Sequence, residues 1–287
     1  MNGNPVFIFV ILHYIALNET ISCVNSIKKY CKSYDHQIIV VDNMSPNATG
    51  RDLQEVYESD DRVTVILNDV NDGYARGNNV GISYANDKFK PDYIVILNND
   101  IEIISSDFCT KIKEEYDRSG FAVMGTKVIS PGGEVGTYPF QPMSKKKLLK
   151  QMVANSIKIC LLYTRLYQLG RYLKKNVIPS SKKDTVSQKL TRRENVVLHG
   201  SCLIFSRKYF EKYDGFDPRT FMYKEEQLLY WRLIKSSLLS VYNPSLVVLH
   251  KAEASTKQST GSLSRKLLFL YKNQLKSSLV LLREIDK

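Results

Sequence analysis

Apolar and polar positions alternate between two periods along the first hundred residues. Residues 6–12 (VFIFVIL) form an unbroken apolar, β-branched run, the pattern of a strand covered on both faces. Ile21, Val24 and Ile27 then recur at helical spacing up to Tyr30. Residues 38–42 (IIVVD) read as a second strand that ends in a carboxylate, followed by loop chemistry in Asn43-Met44-Ser45-Pro46-Asn47. A third strand spans residues 63–67, a helix begins over 77–85, and residues 93–97 (YIVIL) are a fourth strand. Strand and helix signals in alternation, with short connections, predict an α/β fold with a parallel sheet flanked by helices. Ligands of such sheets bind beyond the carboxyl ends of the strands, where Asp42 and Asn98-Asn99-Asp100 both fall.

The pattern changes at residue 144. Lys145-Lys146-Lys147 precede Leu148, Leu149, Met152, Val153, Ile157, Leu161 and Leu162, interleaved with more basic residues and closing in a polar segment at 179–184. Two readings stay open: a basic amphipathic helix on an anionic surface, or an ordinary helix packed on the core. Sheet-like sequence returns at 196–205, a turn at 213–218, a helix at 225–234 and a short final strand at 246–250. The tail, 263–287, is helical, with Leu267, Leu270, Tyr271, Leu275, Leu279 and Leu282 on one stripe. The expected organisation is one domain over 1–261 and a basic amphipathic helix over 262–287. Within that domain a nucleotide-binding half covers about 1–135, a basic helical insertion 144–190, and an acceptor half 191–261.

Composition narrows the class of partner. A 287-residue chain with 43% hydrophobic residues supports a sizeable core. Its 41 basic and 29 acidic residues leave a formal charge of +12, which favours nucleic acid, anionic lipid or phosphorylated substrates. No basic–aromatic platform or recognition motif points to nucleic acid. The five cysteines are scattered and include no C-x-x-C pair, so a disulfide framework and a zinc site are not indicated, and a reduced cytosolic compartment is expected. The opening residues lack a basic leader and cleavage site, and no stretch reaches the ~18 apolar residues of a membrane span.

Several groups could carry chemistry. Asn98-Asn99-Asp100, a carboxylate flanked by amides at a strand end, suits a hard cation such as Mg²⁺ or Mn²⁺, and equally suits a polar strand-to-loop transition. Glu225-Glu226 follow the aromatic-rich Phe221-Met222-Tyr223; adjacent acids at a helix start often only complement its dipole, yet apolar neighbours would suit one of them to general-base work. His250 at a strand end and His199 within VVLHGS are ambiguous between structural and ligand roles. The series Gly73-x₃-Gly77-x₃-Gly81 fits neither the dinucleotide fingerprint nor a P-loop, although it would bring backbone close to a ligand at a helix start.

Taken in order, VFIFVILHY, IIVVDNMSPN, NDGYARGNNVG, YIVILNND, HGSCLIFSRKYFEKYDGFDP, FMYKEEQLLYWRL and VVLHKAEAS resemble the inverting glycosyltransferases of family 2. The likeness is to the bacterial branch of rhamnosyltransferases and capsule or O-antigen enzymes. It implies a GT-A fold, a Rossmann-like, mostly parallel sheet flanked by helices. It also implies single-sugar transfer from a UDP- or dTDP-sugar to a hydroxyl of a glycan or lipid-linked acceptor. By position, Asp42 corresponds to the acid that contacts the nucleobase, His13 and Tyr14 to the first pocket loop, and Arg76, Asn78 and Asn79 to the segment bordering the donor. Asn98 and Asn99 lie on the donor side. Asp100 corresponds to the last acid of the metal-binding D-x-D, whose first acid is Asn98 here, and His250 to a second ligand of Mn²⁺ or Mg²⁺. Glu226 corresponds to the catalytic base with Glu225 before it, and Arg232 would hold this helix or face the diphosphate.

Two departures stand out. The E-D-x-D pattern has become Glu225-Glu226-Gln227-Leu228, and the Q-x-x-R-W signature of processive synthases is absent. A nucleotidyltransferase or a catalytically inactive relative are the alternatives. The resemblance further implies a cytoplasmic protein at the inner face of the plasma membrane, held there by its basic helices, and leaves room for a homodimer.

Overall fold

The computed structural model describes residues 5–137, 139–164, 191–251 and 263–286. The remainder of the expected insertion, including its polar segment at 179–184, lies outside the described residues. Strands β1 (Phe7–His13), β2 (His36–Asp42), β3 (Val63–Leu67) and β4 (Tyr93–Asn98) pair in parallel in the order β3-β2-β1-β4. The sheet continues through β9 (Cys202–Ser206), β6 (Val123–Ile129), β10 (Ser240–His250) and β5 (Ile101–Ile103). Strand β9 runs against both neighbours, β6 and β10 are parallel, and β5 is antiparallel at the edge. Two short strands lie off this path: β7 (Val135–Thr137) on β6 and β8 (Arg193–Glu194) on β10.

Alternation along β1 explains why its apolar run is unbroken. Phe7, Phe9 and Ile11 face one core cluster, which also holds Val24, Ile27, Phe108 and Ile112 from helices α1 (Leu17–Tyr30) and α4 (Phe108–Ser119). Ile8 and Val10 face the other, with Ile82 and Ala85 of α3 (Gly73–Phe89). Each residue of a doubly covered strand must therefore be apolar, and each removes its side chain from water. Helix α2 (Thr49–Val56) bridges β2 and β3.

The sequence pattern overlooks α2, α4, β5 and β6. The helix beginning at residue 77 starts four residues earlier, at Gly73, and the short final strand over 246–250 extends back to Ser240. A register shift between Asn243 and Val247 accommodates Pro244, which cannot donate to the ladder, and so hides the strand's true length.

The basic segment and the tail meet on the protein. Helix α5 (Lys145–Tyr163), α6 (Arg207–Phe210), α7 (Glu225–Lys235) and α8 (Leu263–Ile285) complete the chain. Lys145 pairs with Asp286 at 2.7 Å, Asn155 with Gln274 at 3.1 Å, and Lys158 lies over the Tyr271 ring, so α5 and α8 run antiparallel. Leu148, Leu228 and Leu281 form a small core that ties both helices to α7. Glu284 is held by Arg219 at 2.8 Å and by Lys235 at 3.0 Å. The apolar stripe expected of the tail is rotated. Leu279 is exposed, whereas Ser277 and Ser278 are buried beside Leu281, because small side chains let the helix approach closely. Ser277 donates to Met222 O at 2.8 Å and so reaches the loop before α7.

Candidate active site

The carboxyl ends of β1, β2, β4 and β10 lie along one edge of the sheet, as register pairs His13 with Asp42 and Leu12 with Asn98. The N-termini of α1 and α3 open on that edge and contribute positive dipole ends to it. Strand β9 runs the other way, so its approach segment, Leu198–Ser201, reaches the same place. Asn98 N donates to Ser201 O at 3.0 Å there.

One corner of this edge holds Asp100 and His250. They are 150 residues apart, yet Asp100 Oδ2 lies 3.0 Å from His250 Nε2, because His250 registers opposite Ile101. The hydrogen bond to Asp100 raises the histidine above its ordinary value. Asp100 Oδ1 is buried with no partner, an arrangement that costs free energy unless a ligand completes it. One carboxylate oxygen and one imidazole fit a borderline-hard divalent cation, provided the imidazole releases its proton. Among the described residues no cluster of three such groups occurs, so phosphate oxygens and water would complete the coordination.

Across the β9 approach stands Glu226, in the first turn of α7. It is half-buried, and a side chain on Gly200 would come within 3.1 Å of its Oε1. Tyr74 Oη donates to Gly200 O at 2.7 Å and closes the floor between them. Glu225, the preceding acid, is 7% exposed, and one of its oxygens has no partner. Burial pushes its carboxyl up to about 7, with the Glu226 charge adding to the effect. The two residues before the pair, Tyr223 and Lys224, both have φ near 74°, a left-handed conformation that side chains adopt at a cost of ~1–3 kcal/mol. Lys224 is anchored to Gln151 of α5 at 2.8 Å, and Gln227 accepts from Met143 N at 2.9 Å, which fixes the start of α7 against the basic helix.

Several residues expected at the donor are engaged by the protein itself. His13 is fully buried; Nδ1 meets Thr20 Oγ1 at 2.7 Å and Nε2 meets Thr49 Oγ1 at 2.9 Å. Burial lowers its pKa to about 4, so it is neutral, and it joins α1 to α2 without facing the pocket. Asn78 is buried and donates to Tyr74 O at 2.9 Å. Asn79 makes two hydrogen bonds to the Phe216 backbone, at 2.9 and 2.7 Å, pinning the 213–218 turn to α3. Arg232 donates to Gly215 O at 3.0 Å, pairs with Asp217 at 3.3 Å and covers the Tyr213 ring, so it ties its helix to the 213–218 turn, the first of its two expected roles. Asn99 is buried and donates to Thr20 Oγ1 at 3.1 Å. These side chains build the wall; a family position fixes the backbone's place and leaves the rotamer to its neighbours.

Of the remaining donor candidates, Asp42 is buried and Tyr14, Asn98 and Arg76 keep access. Asp42 is 6% exposed and accepts from Ser45 N and Oγ; its carboxylate packs so closely on Gly50 that a side chain there would collide with it. Tyr14 and Asn98 are half-buried on the same edge, and Arg76 is exposed with Nε on Pro218 O at 2.8 Å. Sequence reasoning overlooked Asn43, which is 4% exposed and bonds Asn71, Asp72 and Gly73 together, ordering the loop into α3. It also missed Tyr74; the glycine beside it was the usable signal. A side chain at Gly73 (φ +77°) would collide with Phe221 O, and Tyr74 N donates to that oxygen at 2.8 Å.

A mostly parallel sheet flanked by helices is the GT-A type of architecture. The chain belongs to glycosyl transferase family 2, whose profile matches residues 9–214. In Mycobacterium tuberculosis, an N-acetylglucosaminyl-diphospho-decaprenol L-rhamnosyltransferase is 48% identical over 65 residues, 23% of this chain and 21% of the relative. An uncharacterized protein, y4gI, of Sinorhizobium fredii is 26% identical over 136 residues, 47% of this chain and 14% of that protein. The chain thus matches about a fifth or less of the length of these curated relatives. Among solved structures, GalNAc-T7 with UDP, GalNAc and Mn²⁺ superposes with a TM-score of 0.61 at 11% identity, covering 94% of this chain and 48% of that one. Family membership favours sugar transfer over nucleotidyl transfer.

Proposed function

We propose that this glycosyltransferase is an inverting enzyme that moves one sugar from a UDP- or dTDP-sugar to a hydroxyl of a glycan or lipid-linked acceptor in bacterial surface polysaccharide synthesis. The observation that carries the reading is the convergence of Asp100 and His250 on one side of the β9 approach with Glu226 on the other. The short stretch shared with a rhamnosyltransferase supports a deoxyhexose donor and a diphospholipid acceptor.

The chemistry follows from where charge and protons must go. Asp100 and His250 would hold a divalent Mn²⁺ or Mg²⁺, which when bound supplies Lewis-acid stabilisation to the departing diphosphate. Glu226 accepts the proton of the acceptor hydroxyl as that oxygen attacks the anomeric carbon from the face opposite the diphosphate. The configuration inverts. Glu225, buried behind it, supports the turn that aims Glu226. Tyr14, Arg76 and Asn98 are the donor contacts that keep access to the edge, with Asp42 buried beneath them.

The acceptor explains the outward faces of the two basic helices. Leu149, Val153 and Ile157, at 41%, 60% and 55% exposure, line one face of α5 beside Lys146 and Lys150. Arg265, Lys272, Lys276 and Arg283 point outward on α8. No described helix is long and apolar enough to cross a membrane, and this surface suits peripheral contact with anionic lipid. A thermal-shift screen of UDP, dTDP and their sugars, with Mn²⁺ or Mg²⁺, tests the reading. The expected hit raises the melting temperature and yields free nucleoside diphosphate and an inverted product with acceptor. Binding without release on every acceptor would identify an inactive relative.

A further inference from the structure

His199 stands between the two halves of this site and has no part in the chemistry above. Ser201 N donates to its Nδ1 at 3.3 Å, and the Ser201 hydroxyl lies 3.0 Å from the same atom. A ring nitrogen that accepts a backbone N–H carries no proton, so the imidazole is neutral and its hydrogen sits on Nε2. Burial lowers the ring's pKa in the same sense, opposed by Glu226 and reinforced by His250. The neighbouring backbone places the ring: a side chain on Gly200 would come within 3.1 Å of Glu226 Oε1, Gly200 O accepts from Tyr74 Oη, and Ser201 O accepts from Asn98 N, two residues before Asp100. His199 is half-buried, and among the described residues its Nε2 has no hydrogen-bond partner.

We infer that His199 is a specificity-determining contact whose Nε2–H donates to a hydroxyl oxygen of the sugar being transferred. The inference rests on the function proposed above, and the order of groups dictates the ligand. The diphosphate lies toward Asp100 and His250 and the acceptor toward Glu226, so the transferred sugar occupies the space between. A neutral donor suits that position, because an imidazolium there would pair with the Glu226 carboxylate and weaken it as a base. The tautomer is set by the Ser201 amide, so the direction of the hydrogen bond is fixed before any ligand arrives.

The test compares wild type with His199→Gln, His199→Asn and His199→Ala by calorimetry. The probes are UDP and dTDP, and the UDP-hexoses and dTDP-rhamnose that wild type binds. Gln carries its amide nitrogen near the Nε2 position, whereas Asn carries it near Nδ1. Affinity for the bare diphosphates is expected to stay unchanged in all three variants. Affinity for the intact donor is expected to fall about tenfold in the Asn and Ala forms and to recover in Gln. Single-deoxy donors add an arm that needs no variant: wild type should lose about tenfold against one deoxy position, and His199→Ala nothing further. Equal losses for diphosphate and donor, equal behaviour of Gln and Asn, or variants matching wild type would overturn the assignment. A wild-type chain that binds no nucleoside-diphosphate sugar would overturn the proposed function as well.

Discussion

Glu225 and Glu226 adjoin in sequence and occupy different surroundings, a difference of one helical step. Glu226 faces Gly200 and the space in front of β9, so we expect Glu226→Gln to lower kcat by ~10²–10⁴-fold while donor affinity is unchanged. A matching loss of donor affinity in calorimetry would instead make it a binding residue. Glu225 is buried, and its carboxyl titrates at about 7 instead of 4.5. Between those values the folded chain keeps a proton that the unfolded chain has released. Its contribution is therefore intact below pH 4.5 and is lost as pH rises to about 7, a difference of about 3 kcal/mol. Glu225→Gln removes this titration, so the variant's melting temperature should gain on wild type from pH 5 to pH 8. A constant offset across that range would show that Glu225 is not protonated on folding. That one acid of the pair is withdrawn from water was not legible in Glu-Glu, since burial depends on which side of α7 meets the core.

Between elements, hydrogen bonds from side chains to backbone fix the site's walls. Asn79 joins α3 to the 213–218 turn through both amide atoms, and Arg232 reaches the same turn from α7. Replacing Asn79 by Ala leaves the Phe216 amide and carbonyl unpaired, a cost of about 1–3 kcal/mol. We expect a lower melting temperature with donor affinity preserved at low temperature; a selective loss of donor affinity would return Asn79 to the pocket. The contact of α3 with the loop before α7 is tighter still. Gly73→Ala combines a φ of +77° with a collision at Phe221 O, so it should displace the loop that leads into α7 and its first-turn acids, Glu225 and Glu226. The glycine spacing marked this helix start in advance. Its partner, 148 residues away, was not marked, because close backbone approach depends on the sheet bringing the two together.

For the molecule as a whole, α5 and α8 buttress α7 with their inner faces and carry basic residues on their outer faces. Of the two expected readings, the inner faces meet core packing, and surface binding is the proposal for the outer ones. Leu281→Ala, at a fully buried position, should cost about 2–5 kcal/mol. Val153→Ser with Ile157→Ser, at exposed positions, should leave the melting temperature unchanged but weaken co-sedimentation with anionic vesicles. Sedimentation indifferent to lipid charge, salt and these substitutions would remove the membrane from the proposal.

Period and strand-end chemistry in the sequence determined the α/β class and the first four strands, because a doubly covered strand must be apolar at every position. The order of short motifs added the family and put forward Asp100, His250 and Glu226 as the residues of the proposed chemistry. The tertiary structure alone decided which polar side chains look into the site. His13, Asn78, Asn79 and Arg232 are held by protein partners, while His199, on the approach to a strand that runs against its neighbours, has its Nδ1 fixed by Ser201 N. Sequence position sets where a backbone passes; the direction of a side chain is chosen by the hydrogen bonds and cavities that only long-range packing creates.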